Sequence, residues 1–263
     1  MKLNEISFQD TFNQFFQSLS INDIKFLNTE IRQLISEKTY YRNYQKSYTD
    51  FLKDYNSRAT RDKEDAELRL YEYAWEQILL LACLRSPNIV VNNFSFIIKE
   101  DGEKDLLITH NNNSYHIEIT SKRTIQRASQ KKQELIDSDS AQKICKKTKT
   151  DNSNILTGSF TKYLQNHFTI PKTNKILFFY NQKGWYSDPE YTRTQLRKLA
   201  QEHEFYYVFW NNLNASTGRT NPETGSWNID CYSALPEEIK KELIPKIQEV
   251  LKELKTREDN NEI

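Results

Sequence analysis

Two acidic residues on neighbouring segments, Asp105 and Glu118, are the best placed in this chain to do chemistry. They lie in Asp105-Leu106-Leu107-Ile108-Thr109-His110 and Tyr115-His116-Ile117-Glu118-Ile119-Thr120, two runs that alternate between polar and apolar residues. Alternation of this kind marks a half-buried strand. The intervening Asn111-Asn112-Asn113 supplies a tight turn, because asparagine tolerates positive φ. With Asn112 and Asn113 as the two central residues, Asn111 faces Ser114, Leu107 faces Glu118 and Asp105 faces Thr120. One sheet face then carries Asp105, Leu107, Thr109, His116, Glu118, Thr120 and Lys122. The other carries Leu106, Ile108, Tyr115, Ile117 and Ile119, with His110 at its end. On this register Asp105 and Glu118 are diagonal neighbours, within reach of a shared ion and mutually repulsive without one. A one-residue slip of the turn is expected to destroy the grouping.

Two carboxylates with open coordination positions suit Mg²⁺, a hard ion that takes oxygen ligands and keeps several waters. Such an ion polarises a phosphodiester oxygen and lowers the pKa of a bound water. A lysine nearby orients that water and offsets charge in the transition state. Lys122 shares the acidic face. Glu72 or Glu76, from the preceding helical segment, adds a further carboxylate, with Glu76 taken into the catalytic set. Each residue also has a plainer reading. A hairpin with one solvated face alternates in any case, and aspartate is common at strand starts. Glu72 and Glu76 suit a solvated helix face, and Lys122 suits an ordinary surface.

The elements that must hold these residues are legible from periodicity. Residues 1 to about 60 read as helical, with Ile21, Ile24, Leu27, Ile31, Leu34 and Ile35 at intervals of three or four and Ser20 or Asn22 as caps. Tyr40, Tyr41, Tyr44, Tyr48, Phe51, Leu52 and Tyr55 continue the period, as expected of half-buried packing. A second helix runs from about Lys63 to Arg85 and ends before Pro87. Strands follow at Ile89-Val90-Val91 and Phe94 to Ile98, then the hairpin, with Asp101-Gly102 as an intervening turn. Further on come a strand at 175–180, a helix from about Pro189 to His203, a strand at 205–210, a turn-rich loop from Gly218 to Gly225, a short strand at 227–232, and a closing helix from Pro236 to about Lys255.

Between the hairpin and the later strands, residues 121–150 are strongly basic. Lys122, Arg123, Arg127, Lys131, Lys132, Lys143, Lys146, Lys147 and Lys149 stand against Glu134, Asp137 and Asp139, a local excess of six. Directly after an acidic pair, Lys122, Arg123, Arg127, Lys131 and Lys132 read as phosphate contacts, or else as a solvated helix. Trp210, Asn211 and Asn212 close a strand, where amide side chains either read base edges or simply form a turn.

The order of elements now resembles a family. A helix with Glu, strands bearing Asp105 and Glu118, then helix, strand, helix and strand, over roughly Lys63 to Trp210, is similar to the PD-(D/E)xK restriction-endonuclease-like nucleases. Glu-Lys-Asp-Leu-Leu at 103–107 stands where the family's Pro-Asp strand begins, with Lys104 in place of proline. Ile117-Glu118-Ile119-Thr120 stands where the acid-any-lysine strand belongs, with Thr120 in the lysine position. The resemblance implies an α/β fold, a restriction-endonuclease-like mixed sheet flanked by helices, over 61–263, with 1–60 a helical N-terminal extension packed on it. It implies a Mg²⁺-dependent endonuclease acting on DNA, in the manner of a type II restriction enzyme working as a homodimer. Asp105 and Glu118 would bind metal, Lys122 or Lys131 would assist the water, and Glu76 would support the site. The missing lysine leaves two other readings: a non-catalytic nucleic-acid-binding or interaction module, and an RNA-directed nuclease.

Composition sets the remaining bounds. The 263 residues are enough for a sizeable core, and 13% aromatic content offsets a hydrophobic fraction of 37%. A net charge of +1 places any nucleic-acid surface locally. Cys83, Cys145 and Cys231 have neither disulfide-framework parity nor metal-site spacing. His110, His116, His167 and His203 lack zinc-ligand spacing, Ser121 lacks an elbow-type glycine context, and Thr217-Gly218-Arg219 lacks a phosphate-loop lysine. The longest wholly apolar run, Ile78 to Leu84, is far short of the roughly 20 residues that cross a bilayer. A soluble, reduced, cytoplasmic protein without membrane partners is expected.

Overall fold

The computed structural model describes residues 6–7, 19–94, 105–121, 174–181, 189–212 and 229–259. In chain order these form β1 (Ile6–Ser7), α1 (Ile21–Ile35), α2 (Tyr41–Ala59), α3 (Lys63–Leu84), β2 (Ile89–Phe94), β3 (Leu106–His110), β4 (Asn113–Ser121), β5 (Asn174–Asn181), α4 (Pro189–Glu202), β6 (Tyr206–Asn212), β7 (Ile229–Ala234) and α5 (Glu237–Asp259). The chain is thus α/β, with open sheet structure and flanking helices. It divides into two compact units, Phe15–Ile119 with Pro236–Ile263, and Met1–Gln14 with Thr120–Leu235.

The first unit is built around α3. Every residue from Ile78 to Cys83 is buried, so this stretch of the helix is apolar all round, as a central helix must be. The chain enters α1 through a capping box: Ser20 Oγ accepts from the Asp23 amide at 3.3 Å, and Asp23 Oδ2 accepts from the Ser20 amide at 2.7 Å. Ile24, Leu27, Ile31 and Ile35 of α1 are buried, while Leu34, assigned to the same face by spacing, is exposed. The tyrosine-rich α2 buries Tyr44 and Phe51. Phe51 stacks on Tyr73 of α3 with ring centroids 4.0 Å apart, and Tyr44 donates to Gln77 Oε1 at 2.7 Å. These rings are packing, as the helical spacing implies. Arg85, just past the end of α3, reaches Glu30 of α1 at 3.0 Å and Glu253 of α5 at 2.8 Å, tying three helices together.

The same unit holds an antiparallel sheet of β2, β3 and β4. In β2 the register shifts between Val91 and Asn93, so Asn92 is an extra residue. Its side chain donates to Thr109 Oγ1 at 2.6 Å. The β3–β4 turn differs from expectation. Asn111 and Asn112, at φ of 48° and 63°, are its central residues, and His110 pairs with Asn113. Two consecutive residues at positive φ define the primed hairpin turn, and it falls one residue earlier than Asn112-Asn113. Leu107 therefore faces His116, not Glu118. Moving a two-residue turn by one position shifts every pairing by two residues, so the faces are kept. The slip does not destroy the polar face; only a shift of pairing by an odd number would.

In the second unit β1 pairs antiparallel with β7, β7 antiparallel with β6, and β6 parallel with β5. The result is a small mixed sheet. The parallel pair β5–β6 requires a crossover, and α4 provides it. Leu196, Leu199 and Ala200 of α4 pack with Leu177 and Phe179 of β5, Tyr207 and Phe209 of β6 and Ala234 of β7. β1 lies within a stretch read from periodicity as helical. Two residues carry no period of their own, and β1 exists because β7 offers a free edge. Among the described residues no helix is long and apolar enough to cross a membrane.

Candidate functional site

The polar face of the β3–β4 hairpin changes character along its length. Near the turn, Asn111, Asn112, Asn113 and Ser114 are exposed, and Leu107, Thr109 and His116 are half-buried. At the other end Asp105 and Glu118 are both 0% exposed, and Thr120 is 3% exposed. The half of this face that alternation assigns to solvent is thus inside the protein where its acids lie.

Register sets these acids together more closely than expected. Continued one residue beyond Leu106–Ile117, the pairing places Asp105 directly opposite Glu118. Opposed residues on antiparallel strands have Cβ atoms about 4.5–5.5 Å apart. A backbone hydrogen bond fixes the aspartate: the Ile119 amide donates to Asp105 Oδ2 at 2.6 Å. Two buried carboxylates side by side cannot both carry charge unless a cation, a network of donors or a metal ion offsets it.

Glu76 of α3 is 6% exposed. On the same helix Arg69 bridges to Asp54 of α2 and pairs with Glu72. Arg69 Nε is 3.4 Å from Asp54 Oδ2, and Arg69 Nη1 is 3.4 Å from Glu72 Oε2. Burial acts to lower the Arg69 pKa, but the charges of Glu76, Glu72 and Asp54 outweigh it and raise the value. Burial also pushes the Tyr73 hydroxyl up, and the Glu76 charge adds to that effect. Glu72, by contrast, is partly exposed and paired with Arg69.

Among the described residues no group of three or more His, Cys, Asp and Glu side chains is arranged to hold a metal ion. The acid pair offers two hard oxygen donors, which by chemistry fit Mg²⁺ with the rest of its shell made up by water. Lys122, Arg123, Arg127, Lys131 and Lys132 lie outside the described residues, as do the Asp101-Gly102 turn and the 218–225 loop. Trp210 is buried, and Asn211 and Asn212 belong to β6, paired with Asp230 and Ile229. Cys83 is wholly buried, and burial pushes its thiol up to about 12, which suits packing and not nucleophilic chemistry.

Arg69 and Asp54 escaped sequence reading. The signal was present only as a charge on α2 and one on α3 whose faces meet. Compared with known proteins, the chain matches no family model, no curated protein and no solved structure.

Proposed function

We propose that this chain is a metal-dependent nuclease, a Mg²⁺-dependent endonuclease hydrolysing DNA phosphodiester bonds in the manner of a type II restriction enzyme. The observation that carries the reading is the acid pair: Asp105 and Glu118, both fully buried at the open end of one hairpin, where the Ile119 amide holds Asp105. Burying two like charges together is costly, and a divalent cation removes that cost while making the pair useful. Asp105 and Glu118 would hold the ion, which supplies a polarised phosphodiester oxygen and a bound water of lowered pKa. The Ile119 amide keeps Asp105 turned into the site. Glu76 would support the site from α3, and Lys122 or Lys131 would take the role of the family's lysine. The basic run from Lys122 to Lys132, which follows the acids in sequence, would contact phosphate, and a homodimer would cut both strands.

Thr120 supports a second reading. It occupies the expected lysine position and is itself buried, so a chain that keeps the fold and binds nucleic acid, or a protein partner, without hydrolysis is the alternative. Incubating the purified protein with supercoiled plasmid and with RNA, in Mg²⁺ or in chelator, separates them. The nuclease reading expects metal-dependent cleavage of plasmid that Asp105→Ala and Glu118→Ala abolish. Undiminished cleavage by both variants, or none in any condition despite tight binding, overturns it. Cleavage of RNA alone transfers the reading to an RNA-directed enzyme.

A further inference from the structure

We propose that Thr120 is a third oxygen ligand of the divalent cation held by Asp105 and Glu118, its hydroxyl joining the two carboxylates from the end of β4. This rests on the nuclease reading, which supplies the cation, and gives a role to the residue that stands in the expected lysine position.

Alternation along β4 sends Glu118 and Thr120 to one sheet face, about 7 Å apart along the strand, and Ile117 and Ile119 to the other. The Ile119 amide donates to Asp105 Oδ2 at 2.6 Å. The Asp105 carboxylate therefore lies against the peptide that joins Glu118 to Ile119, one residue before Thr120. All three residues are inside the protein, Asp105 and Glu118 wholly and Thr120 at 3% exposure.

The Thr120 hydroxyl is the observation that points to a ligand. Its Oγ1 is buried and has no hydrogen-bond partner among the described residues. A buried hydroxyl left unbonded costs free energy, and such a group in a folded protein calls for an explanation. Thr109, on the same face nearer the turn, shows the ordinary arrangement: it is half-buried, and its Oγ1 accepts from Asn92 at 2.6 Å. A cation at the acid pair would use a lone pair of Thr120 Oγ1 and leave the hydroxyl proton for a carboxylate oxygen. Two carboxylates already match the double charge of Mg²⁺. A neutral hydroxyl adds a hard donor, of a kind Mg²⁺ accepts, without unbalancing the site.

Calorimetric titration of the purified full chain with Mg²⁺ and with Zn²⁺ tests the assignment independently of cleavage. Thr120→Val keeps the shape and removes the hydroxyl, and is expected to weaken Mg²⁺ binding about tenfold. Thr120→Ser keeps the hydroxyl and should bind Mg²⁺ nearly as the wild type does. Thr120→Cys puts a soft donor in the same place, and should lose affinity for Mg²⁺ while gaining it for Zn²⁺. If Thr120→Val does not fold, Thr120→Ala runs the same comparison. Equal Mg²⁺ affinity in wild type and Thr120→Val, a Thr120→Ser as weak as Thr120→Val, or no gain in Zn²⁺ affinity by Thr120→Cys overturns the proposal while leaving the acid pair and the nuclease reading intact. A folded wild type that binds no Mg²⁺ overturns both.

Discussion

The Ile119 amide donates to Asp105 Oδ2 at 2.6 Å, so the backbone of one hairpin strand holds the acid that precedes the other. Glu118, the residue before Ile119, is thereby brought to Asp105 by the same local geometry. The hairpin is thus both the scaffold and the source of the acid pair.

Neutralising either acid is expected to remove the stabilisation that Mg²⁺ gives. An ion present at about 100 times its dissociation constant stabilises the wild type by about 2.7 kcal/mol, and Glu118→Gln should lose most of that. Asp105→Asn keeps an acceptor for Ile119 and should behave alike. Thermal unfolding by circular dichroism with and without Mg²⁺ reads the loss. A wild type that Mg²⁺ leaves unmoved sinks the site.

The hairpin turn makes a second expectation. Asn112 sits at φ 63°, where a residue with a β-carbon and no polar side chain costs about 1–2 kcal/mol. Asn112→Ala should therefore destabilise the protein by about 1 kcal/mol, and Asn112→Gly should be neutral or stabilising, since Asn-Gly is the favoured pair in this turn. Urea unfolding of the two variants decides. Equal destabilisation by both would show that Asn112 is not held at positive φ.

That turn also shows how far the sequence could be read. Three consecutive asparagines all tolerate positive φ, so nothing local chooses between the two possible pairs. The choice did not matter to the faces, because either turn keeps the alternation, and the polar face carrying Asp105, His116, Glu118 and Thr120 was legible from it. What was not legible was that the end holding Asp105, Glu118 and Thr120 is buried. Alternation says which side of a strand a residue takes, and only tertiary cover says whether that side sees water. The Asp54–Arg69 pair was hidden for a related reason, since contacts between α2 and α3 leave no period in either. β1 was hidden because a two-residue strand is made by its partner.

Tyr44 is expected to be one of the costlier single-atom changes in the helical part. Its hydroxyl donates to Gln77 Oε1 at 2.7 Å with both side chains fully buried. Tyr44→Phe leaves that acceptor without its donor, a penalty of about 1–3 kcal/mol. Gln77→Leu in the same background should recover part of the loss, because an apolar pair needs no hydrogen bond. Urea midpoints for the two single variants and the double variant read this directly, and simple additivity would show that the bond does not matter.

Acid should loosen the attachment of the hairpin to α5. Glu242 of α5 accepts from the Asn88 side chain at 2.6 Å and from the Asn88 amide at 3.2 Å, and lies 3.2 Å from His110 Nε2 at the end of β3. Burial acts to raise its pKa, but the bonds from Asn88 and His110 prevail and hold it below the ordinary value of 4.5. A carboxyl whose folded pKa is depressed contributes stability that is fully present above its unfolded value. That contribution is lost as the pH falls through the folded one. Unfolding free energy should therefore drop in the wild type across this acidic window by more than in Glu242→Gln, whose amide does not titrate there. The gap between the two proteins should be constant from neutral pH down to about 5 and should narrow below it. A gap that stays constant, or widens, as the pH falls further would show that Glu242 is not held in its charged form by the hairpin.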